Sequence, residues 1–242
     1  MKRRLWPGWR SLFFIAGFFV LALIVRLPAS FATLVLPPEI QLRDVQGSVW
    51  EGRASAIGVG GVLVQEQVTW AFQPRALLDA KLAWAIAGRL AGETSRLELA
   101  LRPGGAELAG IDAVLPLEPL AALHPQLKPA QLGAVLRVAA KSLKWDAPFT
   151  ATAAVEHLFT PLFPQGELGS YRLDCKGEAG GKGDCQVATA GGILRAAGKI
   201  SFDAGRETAT GRLTLTPQSP IPGLSPLLAS LPKSGTGFVV SF

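Results

Sequence analysis

Several residue types on which enzymes depend are scarce in this sequence. The 242 residues include two histidines, His124 and His157, and two cysteines. Neither histidine has a cysteine, an aspartate or the other histidine at metal-ligand spacing. The G-x-S-x-G nucleophile motif is also absent. We therefore expect no catalytic residue, no metal site and no cofactor, and we do not expect an enzyme.

Acidic residues are missing from the chain before Glu39. The same stretch holds five of the 24 basic residues, namely Lys2, Arg3, Arg4, Arg10 and Arg26. The rest of the chain has 19 basic and 18 acidic residues, so the formal net charge of +6 falls to +1 there. The basic balance is therefore local to the N-terminus, and nucleic acid is not an expected partner.

An uncharged, strongly apolar run extends from Ser11 to Val25. A bilayer core about 30 Å thick needs about 20 helical residues, and the long side chain of Arg26 can reach back to the headgroups. We therefore expect a transmembrane signal anchor over residues 11–27. A cleaved signal peptide is the alternative, because Ser30-Phe31-Ala32 has the small residues of a cleavage site.

The basic residues decide the expected topology of this anchor. Positive charge is retained on the cytoplasmic side of a membrane, which places residues 1–10 in the cytoplasm and residues 38–242 in the periplasm. The expected location is therefore the inner membrane, in a single pass. The topology determinants are Lys2, Arg3, Arg4 and Arg10.

Residues 38–242 alternate apolar and polar side chains, as strands with one buried face do. Leu97, Leu99 and Leu101 fall on one face of such a strand. The fold class expected is mainly β: one N-terminal transmembrane helix, then an antiparallel, curled β-sheet periplasmic domain with short helices. Those helices are expected at 74–78, 117–124 and 224–231, and a proline-rich, strand-poor stretch at 111–131 is a candidate lobe boundary.

The two cysteines, Cys175 and Cys185, flank a polar, glycine-rich loop. Two strands joined by such a loop form a hairpin in which the cysteines face each other. In an oxidising compartment we expect a disulfide. A redox or metal pair is the alternative, although the spacing differs from C-x-x-C.

Two short elements stand out in the alternating region. The first, V-x-G-x-x-W-x-G, consists of Val45, Gly47, Trp50 and Gly52. The second, V-x-W followed by P-x-x-L-L, consists of Val68, Trp70, Pro74, Leu77 and Leu78. We expect these residues to have structural roles, as turn glycines or core side chains. None is predicted to be a contact site.

In their order along the chain, these elements and the later segment Leu168-Gly169-Ser170-Tyr171 resemble the type II secretion system protein N family. The resemblance implies an inner-membrane span and a periplasmic β-rich domain related to AsmA-like proteins with groove-forming sheets. It also implies a part in exporting folded proteins across the outer membrane of a Gram-negative bacterium. The implied partners are the inner membrane and other secretion-system subunits, and catalysis is not implied.

Two other functions stay open. The mean hydropathy of +0.31 is high for a chain that is mostly a water-exposed domain, and it fits either ordinary core packing or an apolar groove. A groove would suit a periplasmic lipid carrier or chaperone, which makes lipid a candidate partner. The third function is that of a purely structural envelope protein.

Overall fold

The structure is a computed structural model that describes residues 9–31, 36, 38, 40–59, 61–118, 131–144, 146–163, 166–206, 208–221, 223–235 and 237–241. Helix α1 spans Trp9–Val25 and is followed by a 3-10 helix at Ala29–Phe31. A second 3-10 helix, Pro74–Asp79, and helix α2, Ser225–Ala229, overlap two of the predicted short helices. Most of the third, 117–124, lies outside the described residues.

Strands make up most of the rest of the chain. They are β1 (Ile40–Arg43), β2 (Gln46–Gly47), β3 (Glu51–Val59), β4 (Val62–Phe72), β5 (Leu82–Leu90), β6 (Glu93–Arg102), β7 (Gly105–Pro116), β8 (Gly133–Lys144), β9 (Phe149–Phe159), β10 (Gly169–Gly177), β11 (Lys182–Gly191), β12 (Leu194–Asp203), β13 (Thr208–Pro217), β14 (Lys233–Ser234) and β15 (Gly237–Ser241).

All fifteen described strands belong to one antiparallel sheet. From β3 to β13 each strand pairs with the next one along the chain, and β15 then pairs with β13. Strand β1 forms one edge and the two-residue β14 forms the other, while β2 pairs with β3. The prediction of a mainly β, antiparallel fold is confirmed.

Helix α1 coincides with most of the predicted anchor at 11–27. Within the described part of the chain, no helix combines the length and the apolar character required to cross a membrane. The transmembrane helix expected from the sequence is therefore not supported by the fold.

The register gives the sheet one continuous apolar face. Adjacent strands place apolar or small residues opposite one another in a row that crosses β7 to β13 and ends on β15. This row is Ala113, Val138, Ala153, Leu173, Val187, Gly198, Leu213 and Val240. The neighbouring row on the opposite face is polar and consists of Asp174, Gln186, Lys199, Arg212 and Ser241.

The sheet is curled around its apolar face. The side-chain amide nitrogen of Gln65 on β4 donates a hydrogen bond to the carbonyl of Val114 on β7, three strands away. It also contacts Ser95 Oγ on β6 at 3.0 Å. Neighbouring strands lie about 4.8 Å apart, so a flat sheet would separate β4 from β7 by about 14 Å. A glutamine side chain cannot span that distance, and the predicted curl is therefore present.

The sheet continues through the candidate lobe boundary at 111–131. Residues 111 to 116 of that stretch are the second half of β7, which pairs directly with β8 from Glu107 opposite Lys144 to Pro116 opposite Val135. Residues 119–130 lie outside the described residues. Prolines close to one end of a strand do not prevent the long-range pairing that joins the two halves of the sheet.

The largest buried cluster lies at the end of the sheet where β10 and β12 begin. Ile221 and helix α2 pack their side chains against Leu168 and Leu194 there. Leu224 and Leu228 are the buried residues that α2 and the turn before it contribute. The short helix thus covers one end of the apolar face.

The predicted hairpin with its disulfide is present. Strands β10 and β11 pair in a register that sets Cys175 opposite Cys185, and the two sulfur atoms are bonded. The bond closes a loop with a sequence separation of 10 residues. One residue pair, Asp174 and Gln186, separates it from Leu173 and Val187 of the apolar row.

Replacing both cysteines by serine (C175S/C185S) is expected to lower the free energy of unfolding by about 2 to 3 kcal/mol, because the unfolded chain regains the freedom that a closed loop removes. Urea unfolding of the detergent-solubilised full chain, followed by tryptophan fluorescence in an oxidising buffer, measures the difference. In a reducing buffer, variant and wild type should unfold at the same midpoint. Identical midpoints without reductant would contradict a stabilising bond.

Candidate functional site

The first sequence element forms a tight junction between α1 and the sheet. Gly47 on β2 pairs with Gly52 on β3. Gly47 has a φ of +94°, which L side chains rarely adopt, and a Cβ there would lie 2.5 Å from the carbonyl oxygen of Glu51. A Cβ on Gly52 would overlap the indole ring of Trp70. The expected structural role of both glycines is thus explained by the close approach of two chain segments.

Three tryptophans hold this junction through their indole N–H groups. Trp50 Nε1 donates to the carbonyl of Ile24 in α1 at 2.8 Å, a residue 26 positions earlier in the chain. Trp70 Nε1 and Trp84 Nε1 donate to the carbonyls of Ser48 and Val49, each at 3.0 Å. One carbonyl in the last turn of α1 and two carbonyls just before β3 therefore accept hydrogen bonds from three different tryptophans.

Backbone contacts and ring packing complete the junction. The amide of Val49 donates to the carbonyl of Leu27 at 3.0 Å. The rings of Trp50 and Trp84 are stacked with centroids 6.1 Å apart, and Phe72 meets the ring of Trp50 edge-on at 4.9 Å. Aromatic pairs in these geometries add to the stability that burial alone provides. The last turn of α1 is thus joined to the ends of β4 and β5.

The second sequence element divides between the core and the surface. Val68 is buried, and Trp70 takes part in the junction. Pro74 opens the 3-10 helix that connects β4 to β5, but Leu77 and Leu78 are exposed, Leu78 at 91%. Core packing therefore does not explain these two leucines. Val45, from the first element, is half-buried before β2.

The topology determinants lie largely beyond the described residues. Lys2, Arg3 and Arg4 fall in residues 1–8, and the side chain of Arg10 is also outside the description. His124 lies in the undescribed segment 119–130. The prediction that the basic residues set the topology stays a prediction.

The described polar residues form ion pairs and no cluster suited to metal. His157 is exposed, and its Nδ1 lies 2.9 Å from a Glu167 carboxylate oxygen. Among the residues that the structure describes, no three histidine, cysteine, aspartate or glutamate side chains could jointly hold a metal ion. The described acidic and imidazole groups therefore offer no metal centre.

Glu107 on β7 is the most enclosed carboxylate of these pairs, with its side chain 10% exposed. Burial acts to raise its pKa, but hydrogen bonds from Lys144 and Ser142, with the charge of Arg102, outweigh burial and hold the pKa below its usual value. The carboxylate is therefore charged and fully paired. It ties β6, β7 and β8 together near the end of the sheet that carries the junction.

An apolar cavity of about 400 Å³ lies on the inner face of the later strands. Its walls include Leu173, Val187, Leu213 and Val240 from the apolar row. Tyr171 also lines it, and burial raises the pKa of its phenol to about 12. Its Oη donates to the carbonyl of Leu194 at 2.8 Å, so this polar group is already satisfied within the fold.

A larger groove of about 830 Å³ lies beside the junction on the other face of the sheet. Two rows of residues cross it from strand to strand. One row is Arg53, Thr69, Ala87 and Arg96, and the other is Glu51, Ala71, Ala85, Glu98 and Ala109. Small side chains thus form the floor of the groove, and charges of both signs lie around it.

Comparison with models of protein families matches residues 38–239 to the family described as type II secretion system (T2SS), protein N. The chain belongs to this family. The match begins before β1, ends within β15 and excludes α1. It therefore includes nearly all of the curled sheet and the first-element glycines. Comparisons with curated proteins and with solved structures gave no match.

Membership in the protein N family confirms the resemblance given by the two sequence elements and makes the chain a type II secretion system component. Sequence reasoning did not identify Trp84 or Ser48 as parts of the junction. Trp84 lies in the region whose alternation predicts strands, but the acceptor of its indole N–H, the carbonyl of Val49, lies 35 residues away. Nothing in the sequence indicated that Leu77 and Leu78 would be exposed.

Substituting Gly52 by alanine is expected to cost about 1 to 3 kcal/mol of unfolding free energy, since the new methyl group meets the Trp70 ring and the carbonyl oxygen of Gln46. Tryptophan fluorescence during urea unfolding measures this cost directly, because Trp70 is at the altered position. The matched control is G191A, where a Cβ meets no atom within 4 Å. If G52A and G191A unfold at the same urea concentration, the junction is not tightly packed.

Proposed function

We propose that this chain is an accessory component of the type II secretion system, held at the inner membrane by α1 with its N-terminus in the cytoplasm. Its sheet lies in the periplasm and supports export of folded periplasmic proteins across the outer membrane through protein contacts. No catalytic step belongs to this role. The observation that carries it is the junction that joins α1 to the family's sheet.

The junction supports a role in positioning. A flexible linker would leave the sheet free to move relative to α1, whereas here Trp50 contacts the carbonyl of Ile24 and Val49 contacts that of Leu27. Every described side chain from Leu12 to Val25 is exposed and uncharged. A helix that is apolar on all sides requires an apolar environment on all sides, which lipid provides for α1 and the residues that flank it.

The disulfide supports the periplasmic location of the sheet. Cys175 and Cys185 are bonded, and such bonds persist in oxidising compartments such as the bacterial periplasm. The chain beyond Arg26 is nearly neutral, so its net charge does not attract it to nucleic acid.

The groove beside the junction supports contacts with other subunits. Its floor at Ala71 and Ala85 is exposed and has no large side chain. Arg53, Arg96 and Glu51 offer both signs of charge at its sides. A partner segment could approach the backbone there closely and pair its own charges, which favours specific recognition.

Deleting the chain is expected to leave secreted cargo in the periplasm, and re-expressing the full chain is expected to restore cargo to the medium. An Ala85→Arg variant, with a long charged side chain on the floor of the groove, is expected to restore much less. Immunoblots of cargo in medium and periplasm measure the ratio.

The matched control is Ala188→Arg, at an exposed alanine on β11 outside the groove. It should restore export fully, which shows that an added arginine does not itself impair the protein. Normal export in the deletion strain would exclude an essential role. Full rescue by A85R would exclude the groove as the contact surface.

A periplasmic lipid carrier or chaperone is the second candidate, and the inner cavity is the observation that favours it. Its volume of about 400 Å³ lies within the common range of ligand sites, about 300 to 1,000 Å³. Its walls are almost wholly apolar, and the tyrosine hydroxyl among them is already bonded. The ligand that fits such walls is an acyl chain.

If the chain carries lipid, the purified protein should retain lipid with its acyl chain in the cavity, and Leu213→Trp should reduce the retained amount by filling the space. Mass spectrometry of extracted lipid, per mole of protein, measures the amount. Leu63→Trp, at an exposed leucine of β4 that is not among the cavity walls, is the control for an added indole. Equal lipid in L213W and L63W would show that the lipid is not in the cavity.

A further inference from the structure

Large apolar side chains with high exposure gather at one end of the sheet. Outside α1, the described residues of this kind are Phe31, Leu63, Leu77, Leu78, Leu82, Leu101, Phe159 and Leu162. Five of them lie at the end that carries the junction. We call these five the apolar rim, and they are Phe31, Leu77, Leu78, Leu82 and Leu101.

Chain connections fix the position of the apolar rim relative to α1. Leu77 and Leu78 lie in the 3-10 helix between Phe72 and Trp84, whose rings both pack near Trp50. Trp50 in turn is hydrogen-bonded to Ile24 of α1. These two rim residues therefore lie at the end of the sheet where the helix meets it.

Strand pairing and chain connections also place the other three rim residues at this end of the sheet. Leu82 opens β5 and is paired with Leu101 on β6. Phe31 closes the 3-10 helix that comes directly after α1, and the preceding Ala29 is 1% exposed, so this turn is docked on the fold. The same end of the sheet thus exposes apolar side chains from four separate segments.

Basic residues outnumber acidic ones in the two segments that carry most of the rim. Arg26, just after α1, is exposed. Between β4 and β5, Arg75 is exposed and Lys81 is half-buried, and Asp79 is the acidic residue there. Basic residues at the border of an apolar surface favour the negatively charged headgroups of a membrane. A protein partner would cover the rim from one side, but it would not account for the exposure of α1 on every side.

We propose that the apolar rim lies in the headgroup region of the membrane beside α1, so that the sheet stands on the lipid surface in one fixed orientation. This inference rests on the proposed anchoring of α1 in the membrane. Leu78, the most exposed rim residue, inserts between lipids, and Arg26 and Arg75 contact the headgroups. The far end of the sheet, with Leu63, stays in water.

The test places an environment-sensitive nitrobenzoxadiazole label on Leu78→Cys in the full chain, with the native disulfide intact. The matched control is the same label on Leu63→Cys, which is also an exposed leucine of the sheet at 42%. Both proteins are reconstituted into vesicles of phosphatidylethanolamine with a minority of phosphatidylglycerol. Flotation in a density gradient first shows whether the chain is held by the vesicles.

With the chain bound, emission from position 78 should shift to the blue, and nitroxide-labelled lipids should quench most of it, while emission from position 63 should be unchanged. A chain that floats but whose label at 78 is quenched only by water-soluble quenchers overturns the rim proposal and leaves the anchoring intact. A chain that does not float overturns the anchoring, and the rim proposal with it. Lipid quenching that is equal at both positions also overturns the fixed orientation.

Discussion

In the part of the chain that the structure describes, one sheet carries an apolar face without a second full layer over it, and such a sheet buries that face by bending. Most domains bury a sheet against another sheet or against helices. Here helix α2 has five residues and covers one end only. The sheet therefore curls, and the hydrogen bond from Gln65 on β4 to Val114 on β7 shows how tightly it does so. The inner cavity lies on the face around which the sheet curls.

Strand pairing creates the conditions for the junction. Phe72 on β4 is paired with Trp84 on β5, and its amide donates to the carbonyl of Trp50 just before β3, so the three rings meet at one end of the sheet. The indole N–H groups there need acceptors, and the connecting backbone needs donors, because a buried polar group without a partner is costly. Each satisfies the other, so Ser48 and Val49 are held between α1 and the sheet. Gly47 and Gly52 are required since a side chain at either position would separate the strands.

The sequence predicted those features that depend on near neighbours. Alternation at Leu97, Leu99 and Leu101 predicted a strand, and β6 is present there. The polar loop between Cys175 and Cys185 predicted the hairpin and its disulfide, which are also present. Alternation fails where a bulge intervenes. Gln67 has a positive φ of 49°, the register shifts between Glu66 and Thr69, and both Gln65 and Val68 are buried as a result. No periodic pattern reveals such a position before the pairing of β4 with β5 is known.

Hydrogen-bond partners that are distant in the chain could not be predicted from the sequence either. The three indole acceptors are 22 to 35 residues from their donors, so no local pattern indicates them. The same holds for Leu77 and Leu78, whose motif predicted a structural role but whose side chains point outward. An exposed leucine pair is costly in water unless something covers it. The pair of Leu82 and Leu101 exposes further apolar surface at this end of the sheet, and the apolar surface of α1 begins at the same place. Three apolar surfaces that meet at one junction are most simply satisfied together by one apolar medium, and a rigid junction is what would keep all three facing it at the same time.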